Sequence, residues 1–312
     1  MADLLVAGAL MLDAAIGWPD RLYQRVGHPV GAFARLIAAG ERWGNRPDRS
    51  DAERRTMGIV LVVVLVACGA GSGWAADMML REAFGSWWWV AGVAVAWPGI
   101  AARSLHDHVR PVADALASGD ITQARTAVAK IVGRDVAGLE PPGVARAAIE
   151  SLAESVCDGV VAPVFWLAVA GLPGLWAYKA INTADSLIGH REERWRAFGW
   201  AAARLDDVAN LVPARLSGLL LCVAGRGGWR VMMRDHGRHA SPNAGWPEAA
   251  MAGVLGVALA GPVTYDGQAH EKPWIFAEGR GATAEDVRAA LRVCGRAWIL
   301  LVMVAGAIAW LR

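Results

Sequence analysis

Long apolar runs alternate with short polar segments along most of this chain. The run from Met57 to Ala76 carries no charge, and its length is enough for a helix to cross a bilayer. The runs 87–102 and 295–311 are also apolar, and the first opens with three tryptophans, as at a membrane interface. The runs 160–181 and 208–225 are interrupted by prolines. We therefore predict five membrane-associated segments, with broken or re-entrant helices among them.

The segment 103–156 is polar and predicts a soluble helical insert. Within it, PVADALASGDITQARTAVAKIVGRD has the pattern of two short amphipathic helices, with Gly119 ending the first and Asp120 capping the second. Near the end of the chain, Thr283 can serve as the N-cap of a further helix. Strand-like alternation is scarce. The fold class predicted is an all-α, polytopic integral membrane protein that forms a single domain over residues 1–312.

Small residues within the apolar runs predict packing rather than chemistry. The motif GAGSG at 69–73 lies inside the first run, where glycines let helices approach closely. The cysteines at 68, 157, 222 and 294 are isolated and form no CxxC pair, which argues against a zinc site or a disulfide framework. We expect all four to be buried as small hydrophobic side chains.

Composition and charge agree with a membrane protein. Hydrophobic residues make up 55% of the chain and charged residues 19%, whereas soluble domains have about 45–50% and about 25%. The 31 basic and 29 acidic residues nearly cancel, so no overall field favours nucleic acid. Arginines before the first run and after the second place residues 1–56 and the segment after 103 in the cytoplasm under the positive-inside rule.

A first polar constellation lies just before a proline-broken run. The segment VARAAIESLAESVCDGVVAPVFW places Glu150, Glu154 and Asp158 at i, i+4 and i+8, which is one face of a helix. A solvated surface is one interpretation of such a stripe. The alternative is a bound cation, because like charges at this spacing repel each other.

Two further segments, YKAINTADSLIGH and RLDDVANLVPARL, repeat this arrangement beside apolar runs. Their polar side chains are Lys179, Asn182, Asp185, Arg204, Asp206, Asp207, Asn210 and Arg215. Pro213 cannot donate to the carbonyl of Ala209, which therefore needs another partner. Since unpaired buried polar groups are costly, the three segments predict a polar cleft at the membrane face. Its oxygen-rich side chains suit Mg²⁺ bridged to phosphate.

A basic segment follows. Its arginines are Arg226, Arg230, Arg234 and Arg238. They either receive phosphate or carboxylate groups or anchor the chain on the cytoplasmic side. The turn-rich sequence SPNAGWPEA, with Ser241 and Asn243, then leads into a helix from about Pro247, and helix N-termini also receive anions.

Taken together and in this order, these segments resemble the CobD/CbiB family, the adenosylcobinamide-phosphate synthases of cobalamin biosynthesis. The resemblance also includes GHPVGAFARLI near the start and SPNAGWPEAAMAGVLG near the end, so it covers most of the chain. Two positions depart from the family pattern. The family typically has Asn where this chain has Ser155, and Arg where it has Gly31.

The resemblance implies an integral membrane amide ligase. It would join adenosylcobyric acid to (R)-1-aminopropan-2-ol or its O-phosphate, with ATP as co-substrate and Mg²⁺ as cofactor. We expect a multi-pass protein of the cytoplasmic (inner) membrane whose active site faces the cytoplasm. Its partners would be the corrinoid, the amine and the lipid bilayer, with no nucleic acid. A homo-oligomer and a complex with other cobalamin-pathway enzymes both stay open.

From what this reaction needs, we assign three groups of site residues. Catalytic residues would be Lys179, Asp185, Arg204, Asp206 and Asp207. Substrate-binding residues would be Asn182, Asn210, Arg215, Ser241 and Asn243. Metal-binding residues would be Glu150, Glu154, Asp158 and Asp207. The proton acceptor for the attacking ammonium stays open between Asp206 and the carboxylates of the 150–158 stripe.

Two other classes of function stay open from the residues alone. One is a Mg²⁺-dependent membrane phospho-alcohol or prenyl transferase, an enzyme type that commonly needs two aspartate-rich motifs. Paired aspartates occur here only at 206–207. The other is a non-catalytic membrane sensor or regulator, in which the polar stripes would be structural ion pairs.

Overall fold

The computed structural model describes residues 2–190, 192–265 and 268–311. It is 78% helical, which confirms the all-α class. Its helices are α1 (Ala2–Ile16), α2 (Asp20–Val26), α3 (Val30–Gly44), α4 (Asp51–Phe84), α5 (Trp88–Ala96), α6 (Ala102–Ala117), α7 (Ile121–Val128), α8 (Pro141–Val156), α9 (Ala162–Ile188), α10 (Glu193–Arg196), α11 (Trp200–Ala209), α12 (Leu211–Gly225), α13 (Trp229–Asp235), α14 (Gly245–Leu255) and α15 (Ala284–Leu311).

Short strands occur in one segment between α14 and α15. They are β1 (Leu259–Ala260), β2 (Val263–Tyr265), β3 (Gln268–His270) and β4 (Trp274–Ile275). They form two antiparallel pairs, β1 with β4 and β2 with β3. The pairing of Leu259 with Ile275 brings two fully buried side chains side by side.

In the described part of the chain, three helical stretches are long and apolar enough to cross a membrane. They are Asp51–Ala117, Pro141–Ile188 and Ala284–Leu311, and the pair α11 and α12, bent by 51°, passes the same test together. The separate span at 87–102 stays a prediction, because this run lies inside the helical stretch Asp51–Ala117. That run forms the nine-residue α5 between two 3₁₀ turns, and Pro98 lies in the second turn. Proline cannot continue the helical hydrogen bonding, so α5 is too short to cross alone.

The described residues pack as two compact units. The first comprises Met1–Ala101, Ala162–Asn210 and Ala305–Arg312, and the second comprises Ala102–Val161 and Leu211–Val304. The first unit therefore contains α1–α5 and α9–α11. The second contains α6–α8, α12–α14, the strands and most of α15.

In the first unit, α4 packs closely along α9. A Cβ added at Gly69 would lie 2.5 Å from the carbonyl oxygen of Trp176, and one at Gly73 would lie 2.5 Å from that of Leu172. The prediction that GAGSG permits close helix approach is therefore confirmed. The prolines also break the helices as predicted in α9, where Ala170 and Gly171 leave helical geometry just before Pro173.

In the second unit, α8 lies in a core of small aliphatic side chains shared with α6, α7, α12 and α14. The predicted caps are present. Asp120 accepts a hydrogen bond from the backbone N–H of Gln123 at 2.9 Å, and Thr283 precedes α15 with its hydroxyl 3.4 Å from the backbone nitrogen of Asp286. Helix α7 ends at Val128.

The prediction that the cysteines are buried is confirmed at two of the four positions. Cys157 and Cys222 are buried and Cys294 is half-buried, whereas Cys68 is exposed. Cys68 lies on α4 and lines an apolar cavity of about 590 Å³ in the first unit. The run around it is uniformly apolar in sequence, so its pattern does not distinguish an inner from an outer helix face.

We expect Gly73→Ala to destabilise the protein, because its new methyl group would meet the backbone of Leu172. The change should cost about 1–3 kcal/mol, the usual range for overpacking. The matched control is Gly71→Ala on the same helix, where an added Cβ meets nothing within 4 Å. Thermal unfolding in detergent should give a lower apparent Tm for Gly73→Ala only. Equal behaviour of the two variants would contradict the close packing of α4 and α9.

Candidate functional site

The structure divides the predicted site residues between the two units. In the first unit are Lys179, Asn182, Asp185, Arg204, Asp206, Asp207 and Asn210. In the second unit are Glu150, Glu154, Asp158, Arg215, Ser241 and Asn243.

In the first unit, Asp206 is the centre of a buried polar network. One of its carboxylate oxygens accepts a hydrogen bond from the amide of Asn210 at 2.9 Å, and the other accepts one from Asn182 at 3.4 Å. The Asn210 side-chain oxygen accepts a hydrogen bond from the hydroxyl of Tyr178 at 3.0 Å. All four side chains are buried. Sequence reasoning named the three polar residues and missed Tyr178, which lies one turn before Asn182 in YKAIN.

Local backbone features hold this network in place. Helix α11 ends at Ala209, and the indole N–H of Trp166 donates to the Ala209 carbonyl at 3.2 Å. The Ala209 carbonyl, to which Pro213 cannot donate, therefore has a hydrogen-bond partner, as predicted. The chain between α9 and α11 is also tightly packed, because a Cβ at Gly199 would lie 1.6 Å from the Ile188 carbonyl oxygen. Only glycine fits there, so Gly199 fixes how α11 meets α9.

Three carboxylates gather in this part of the first unit. The charges of Asp185 and Asp207 both act on Asp206. Asp207 also lies 3.5 Å from Arg204, whose side chain is 67% exposed, so this ion pair is solvated and contributes little to stability. Among the residues that the structure describes, no three acidic, His or Cys side chains are arranged to hold a metal ion by themselves. Magnesium usually takes one or two carboxylates and completes its shell with phosphate and water, which this group can accommodate.

Lys179 has a neighbour, His28, that the sequence analysis did not assign to the site. Burial, and secondarily the positive charge of Lys179, lower the pKa of His28. The His28 Nδ1 accepts a hydrogen bond from the backbone N–H of Val30 at 3.2 Å, and its ring meets that of Trp18 edge to face. The GHPVG loop is thus part of the surroundings of Lys179. The signal available in the sequence was a histidine between Gly27 and Pro29 at the entrance of an apolar helix.

In the second unit, Glu150 is an ion-pair centre. Its carboxylate contacts Arg134, lies 3.8 Å from Arg146, and accepts a hydrogen bond from the backbone N–H of Ala260 at 2.6 Å. Two guanidinium groups therefore compensate its buried charge. These contacts favour a structural role that ties α8 to the strand segment. Its predicted metal role stays a prediction.

Of the predicted face of Glu150, Glu154 and Asp158, the first two residues lie one turn apart within α8, and only Asp158 lies beyond its end. Glu150 is buried, Glu154 is exposed, and Asp158 is half-buried. Asp158 lies in a π-helical turn over Cys157–Val161, which follows α8 and has about one residue more per turn than an α-helix. The i, i+4 register is therefore lost at Asp158. Such π turns often occur at functional sites.

Sequence reasoning missed Glu248, a buried carboxyl in the first turn of α14. Burial raises its pKa well above the ordinary value, and the charges of Glu150 and Glu154 raise it further. One of its oxygens lies 3.7 Å from Nε2 of His239. The available signal was the acidic residue in SPNAGWPEAAM, where every following position is apolar or small.

The residues around the start of α14 form a turn. The Ser241 hydroxyl accepts hydrogen bonds from the backbone N–H groups of Asn243 and Ala244 at 3.2 and 3.3 Å. Ser241 therefore acts as a cap in the structure, and Asn243 is buried behind it. Trp246 stacks on His236 with ring centres 3.8 Å apart, and the Arg215 guanidinium lies over the same indole at 4.9 Å.

Two of the four arginines in the basic segment form a structural anchor. Arg234 and Arg238 lie 2.7 and 3.1 Å from the fully buried carboxylate of Asp235, which also accepts a hydrogen bond from the Phe276 N–H at 2.8 Å. The hydrogen bonds from Arg234 and Phe276 lower the pKa of Asp235. These two arginines therefore bind carboxylates, one of the roles considered from sequence, and the carboxylates belong to the chain itself.

The carboxyl of Glu248 makes stability depend on pH. Because its pKa is raised in the folded state, the folded protein binds more protons than the unfolded chain, and the free energy of unfolding falls as pH rises above about 4.5. We expect Glu248→Gln to reduce this slope and to raise the apparent Tm above that of wild type at about pH 8. Thermal unfolding in detergent across this pH range measures both effects. The control is the exposed Glu271→Gln, and a Glu248→Gln variant that follows wild type would contradict the interpretation.

Comparisons with known proteins agree with these features. The family model described as CobD/Cbib protein matches residues 6–294. Cobalamin biosynthesis protein CobD of Rhodobacter capsulatus is 47% identical over 304 residues, which is 96% of this chain and 95% of the relative. The protein of that name from Sinorhizobium sp is 47% identical over 300 residues, and the one from Brucella anthropi is 48% identical over 301. No solved structure matches the chain significantly. The extent of these matches establishes that this chain belongs to the CobD/CbiB family of cobalamin biosynthesis proteins.

Proposed function

We propose that this protein is an ATP- and Mg²⁺-dependent ligase that joins the carboxyl of adenosylcobyric acid to (R)-1-aminopropan-2-ol or its O-phosphate. The product is adenosylcobinamide or its phosphate. Besides family membership, one observation carries the proposal. Asp206 is buried in a strongly apolar chain, and only neutral amides donate hydrogen bonds to it in the network described above. A buried carboxylate that amides orient, with the carboxylates of Asp185 and Asp207 nearby, supports a site for a metal–phosphate complex.

The chemistry requires an activated carboxyl. A carboxylate resists attack by an amine, so transfer of the γ-phosphoryl group of ATP to the corrinoid carboxylate would give an acyl phosphate. The amine nitrogen then forms a bond to the acyl carbon, and the carbon–oxygen bond to phosphate breaks, releasing inorganic phosphate and a proton. Charge develops on phosphate oxygens and on the tetrahedral carbon, and fixed donors in a site with little water stabilise it.

In the first unit, each predicted residue has a distinct task. Asp207 would hold Mg²⁺ with help from Asp185, and the bound ion would neutralise phosphate charge. Lys179 and Arg204 would contact phosphate oxygens as cations. Asn182 and Asn210 hold Asp206 in one orientation, so Asp206 can accept a proton or orient a substrate. The surroundings of Lys179 include His28, which extends the polar region to the GHPVG loop.

In the second unit, the assignments rest on separate contacts. Arg215 would receive an anionic substrate group, because its guanidinium is held against Trp246. Asn243 would orient substrate, and Ser241 would support it by capping the turn. Glu154 and Asp158 are the carboxylates of the first stripe that have access to solvent. Their metal role, with that of Glu150, stays part of the proposal.

The proposed location in the inner membrane rests on the charge of the polar segments as well as on the length of the helices. The helical stretches long enough to span a bilayer agree with a multi-pass protein. The arginine-rich segments would keep the polar clusters on the cytoplasmic side of the inner membrane, where ATP and the corrinoid are available. Lipid, corrinoid and amine are then the partners, and self-association or contact with other enzymes of cobalamin biosynthesis stays open.

Amide formation by purified protein is the direct test. Given ATP, Mg²⁺, adenosylcobyric acid and either amine, the detergent-solubilised protein should release inorganic phosphate and convert the corrinoid to a product of amide mass. Chelation of the metal should stop both, because phosphate charge is then uncompensated. A corrinoid mass that stays unchanged with every amine and nucleotide would contradict the ligase proposal and favour a non-catalytic role.

Asp207→Asn separates a metal role from a structural one. Removing a charged ligand should lower turnover by about 10²–10³-fold. Because the Asp207–Arg204 pair is solvated, the change should cost less than about 1 kcal/mol of stability. The matched control is Asp77→Asn, which breaks a helical pair with Arg81 on α4. Turnover and apparent Tm of both variants are measured together. An Asp207→Asn enzyme with wild-type turnover would exclude the metal role.

A further inference from the structure

Two arginines of the basic segment have no assigned role. The other two pair with Asp235, as described above, whereas Arg226 and Arg230 are exposed on the second unit. Neither Arg226 nor Arg230 forms an ion pair with an acidic side chain in the described part of the chain. The sequence from 211 to 234 contains no acidic residue, so the positive charge there is not compensated locally.

Arg226 follows α12 in an unusual backbone conformation. Its φ is 58°, which is in the left-handed region that glycine usually occupies after a helix. The backbone N–H of Gly227 donates to the Cys222 carbonyl at 3.0 Å, so hydrogen bonding holds the turn. An arginine in a conformation that favours glycine indicates a role for its side chain.

The helix dipole accounts for only one of these two cations. A cation is favoured at the C-terminal end of a helix, where Arg226 lies after α12. Arg230 lies in the first turn of α13, where a helix dipole disfavours positive charge. A ligand with negative charge explains both arginines together.

An exposed apolar stripe runs along α12 toward these arginines. Its side chains recur at helical spacing and are 41–51% exposed: Val212, Leu216, Leu219 and Val223. The opposite face of α12 packs on α14, where a Cβ at Gly218 would lie 3.1 Å from the Trp246 carbonyl oxygen. The stripe therefore faces away from the core of its unit. Together, α11 and α12 are apolar enough for a bent membrane segment, so acyl chains are the expected surroundings of the stripe.

The apolar surface continues onto α13. Trp229 and Met233 are 43% and 61% exposed and lie one turn apart. Arg226 and Arg230 each precede one of these two side chains by three residues. Exposed tryptophan beside arginine is typical of the level where lipid head groups meet acyl chains, because the indole is amphipathic and the guanidinium binds phosphate.

We propose that the surface formed by the α12 stripe, Arg226, Trp229, Arg230 and Met233 binds anionic phospholipids of the bilayer. The stripe lies against acyl chains, and the two arginines bind head-group phosphates. A lipid suits this surface better than an acidic protein does, because one lipid molecule supplies both the phosphate and the apolar chain. The positive charge gives anionic head groups an advantage over zwitterionic ones.

A fluorescent probe at the edge of this surface tests the proposal. The full chain carries bimane through Met233→Cys, in a background of Cys68→Ser and Cys294→Ser, because the other two cysteines are buried. It is placed in phosphatidylcholine nanodiscs that contain either phosphatidylcholine or phosphatidylglycerol with a doxyl quencher near the head group. Both lipids should quench the probe. The anionic one should do so at a mole fraction about fivefold lower or less, the scale of one arginine at an anionic surface.

Variants separate charge from packing. Arg226→Gln with Arg230→Gln should remove the preference for phosphatidylglycerol and leave quenching by phosphatidylcholine unchanged. Arg226→Lys with Arg230→Lys should keep most of the preference, because the charge is retained. The matched control is Arg110→Gln with Arg292→Gln, which removes two exposed arginines of the same unit from ion pairs within the protein. It should behave as wild type does, and added salt should weaken its preference in the same way.

Several results would overturn the proposal. Absence of quenching by both lipids would show that the surface does not meet the bilayer, and equal quenching by both would show that it has no head-group preference. An unchanged preference in the double glutamine variant would exclude the arginines. A signal that depends on the number of protein copies per disc would assign the surface to a second copy of the chain. Relief of quenching by soluble glycerol phosphate would assign the arginines to a free phosphate ester. None of these measurements requires the ligase reaction, so failure of that proposal leaves this one testable.

Discussion

The cost of burying polar groups in an apolar, helical chain governs this structure. Each buried carboxylate must be compensated by hydrogen bonds or by opposite charge, because an uncompensated one is costly in a medium of low dielectric constant. The chain meets this requirement in two different ways. Asp235 and Glu150 are each paired with two arginines and with a backbone N–H group. Asp206 instead accepts hydrogen bonds from two neutral amides.

This difference separates the two carboxylates with structural ion pairs from Asp206, which the proposed function places in the active site. Arginine pairs neutralise Glu150 and Asp235, and both residues fasten the strand segment to helices of the second unit. The negative charges of Asp185 and Asp207 repel the nearby carboxylate of Asp206 and so do not compensate its charge. A buried carboxylate that amides orient, beside two further carboxylates, supports the cation site proposed above. The distinction depends on the type of partner, because burial is the same in the two cases.

Close backbone approach provides the second constraint. The absence of a side chain at Gly69 and Gly73 lets the backbones of α4 and α9 approach closely. In the same way, Gly199, just before α11, leaves room for the carbonyl of Ile188 at the end of α9. These contacts set the distance between the helices that carry Tyr178, Asn182 and Asp206. The polar network is therefore supported by packing in the same unit, since the amides of Asn182 and Asn210 must come within hydrogen-bonding distance of one carboxylate from two different helices.

Local sequence determined much of the fold and part of the site. The length of the apolar runs predicted the long helices, and Asp120 and Thr283 predicted helix caps. Pro213 predicted that the carbonyl of Ala209 needs another partner. Each of these features depends on residues that are close together along the chain. The spacing of Asp206 and Asn210 likewise predicted their contact, because residues four apart meet on a helix. The family itself is determined by sequence, since it is carried by long motifs in a constant order.

Only the tertiary structure decided which polar residues have which partners. The π turn at Cys157–Val161 moved Asp158 out of register, and Arg134 was brought to Glu150 from a separate loop. His28 came near Lys179, and Glu248 became buried beside charges from α8, although nothing in the neighbouring residues predicts either contact. The physical reason is that burial and electrostatic neighbours are set by segments far apart in sequence. Periodicity reports which face of a helix is polar, and it contains no information about what that face will meet.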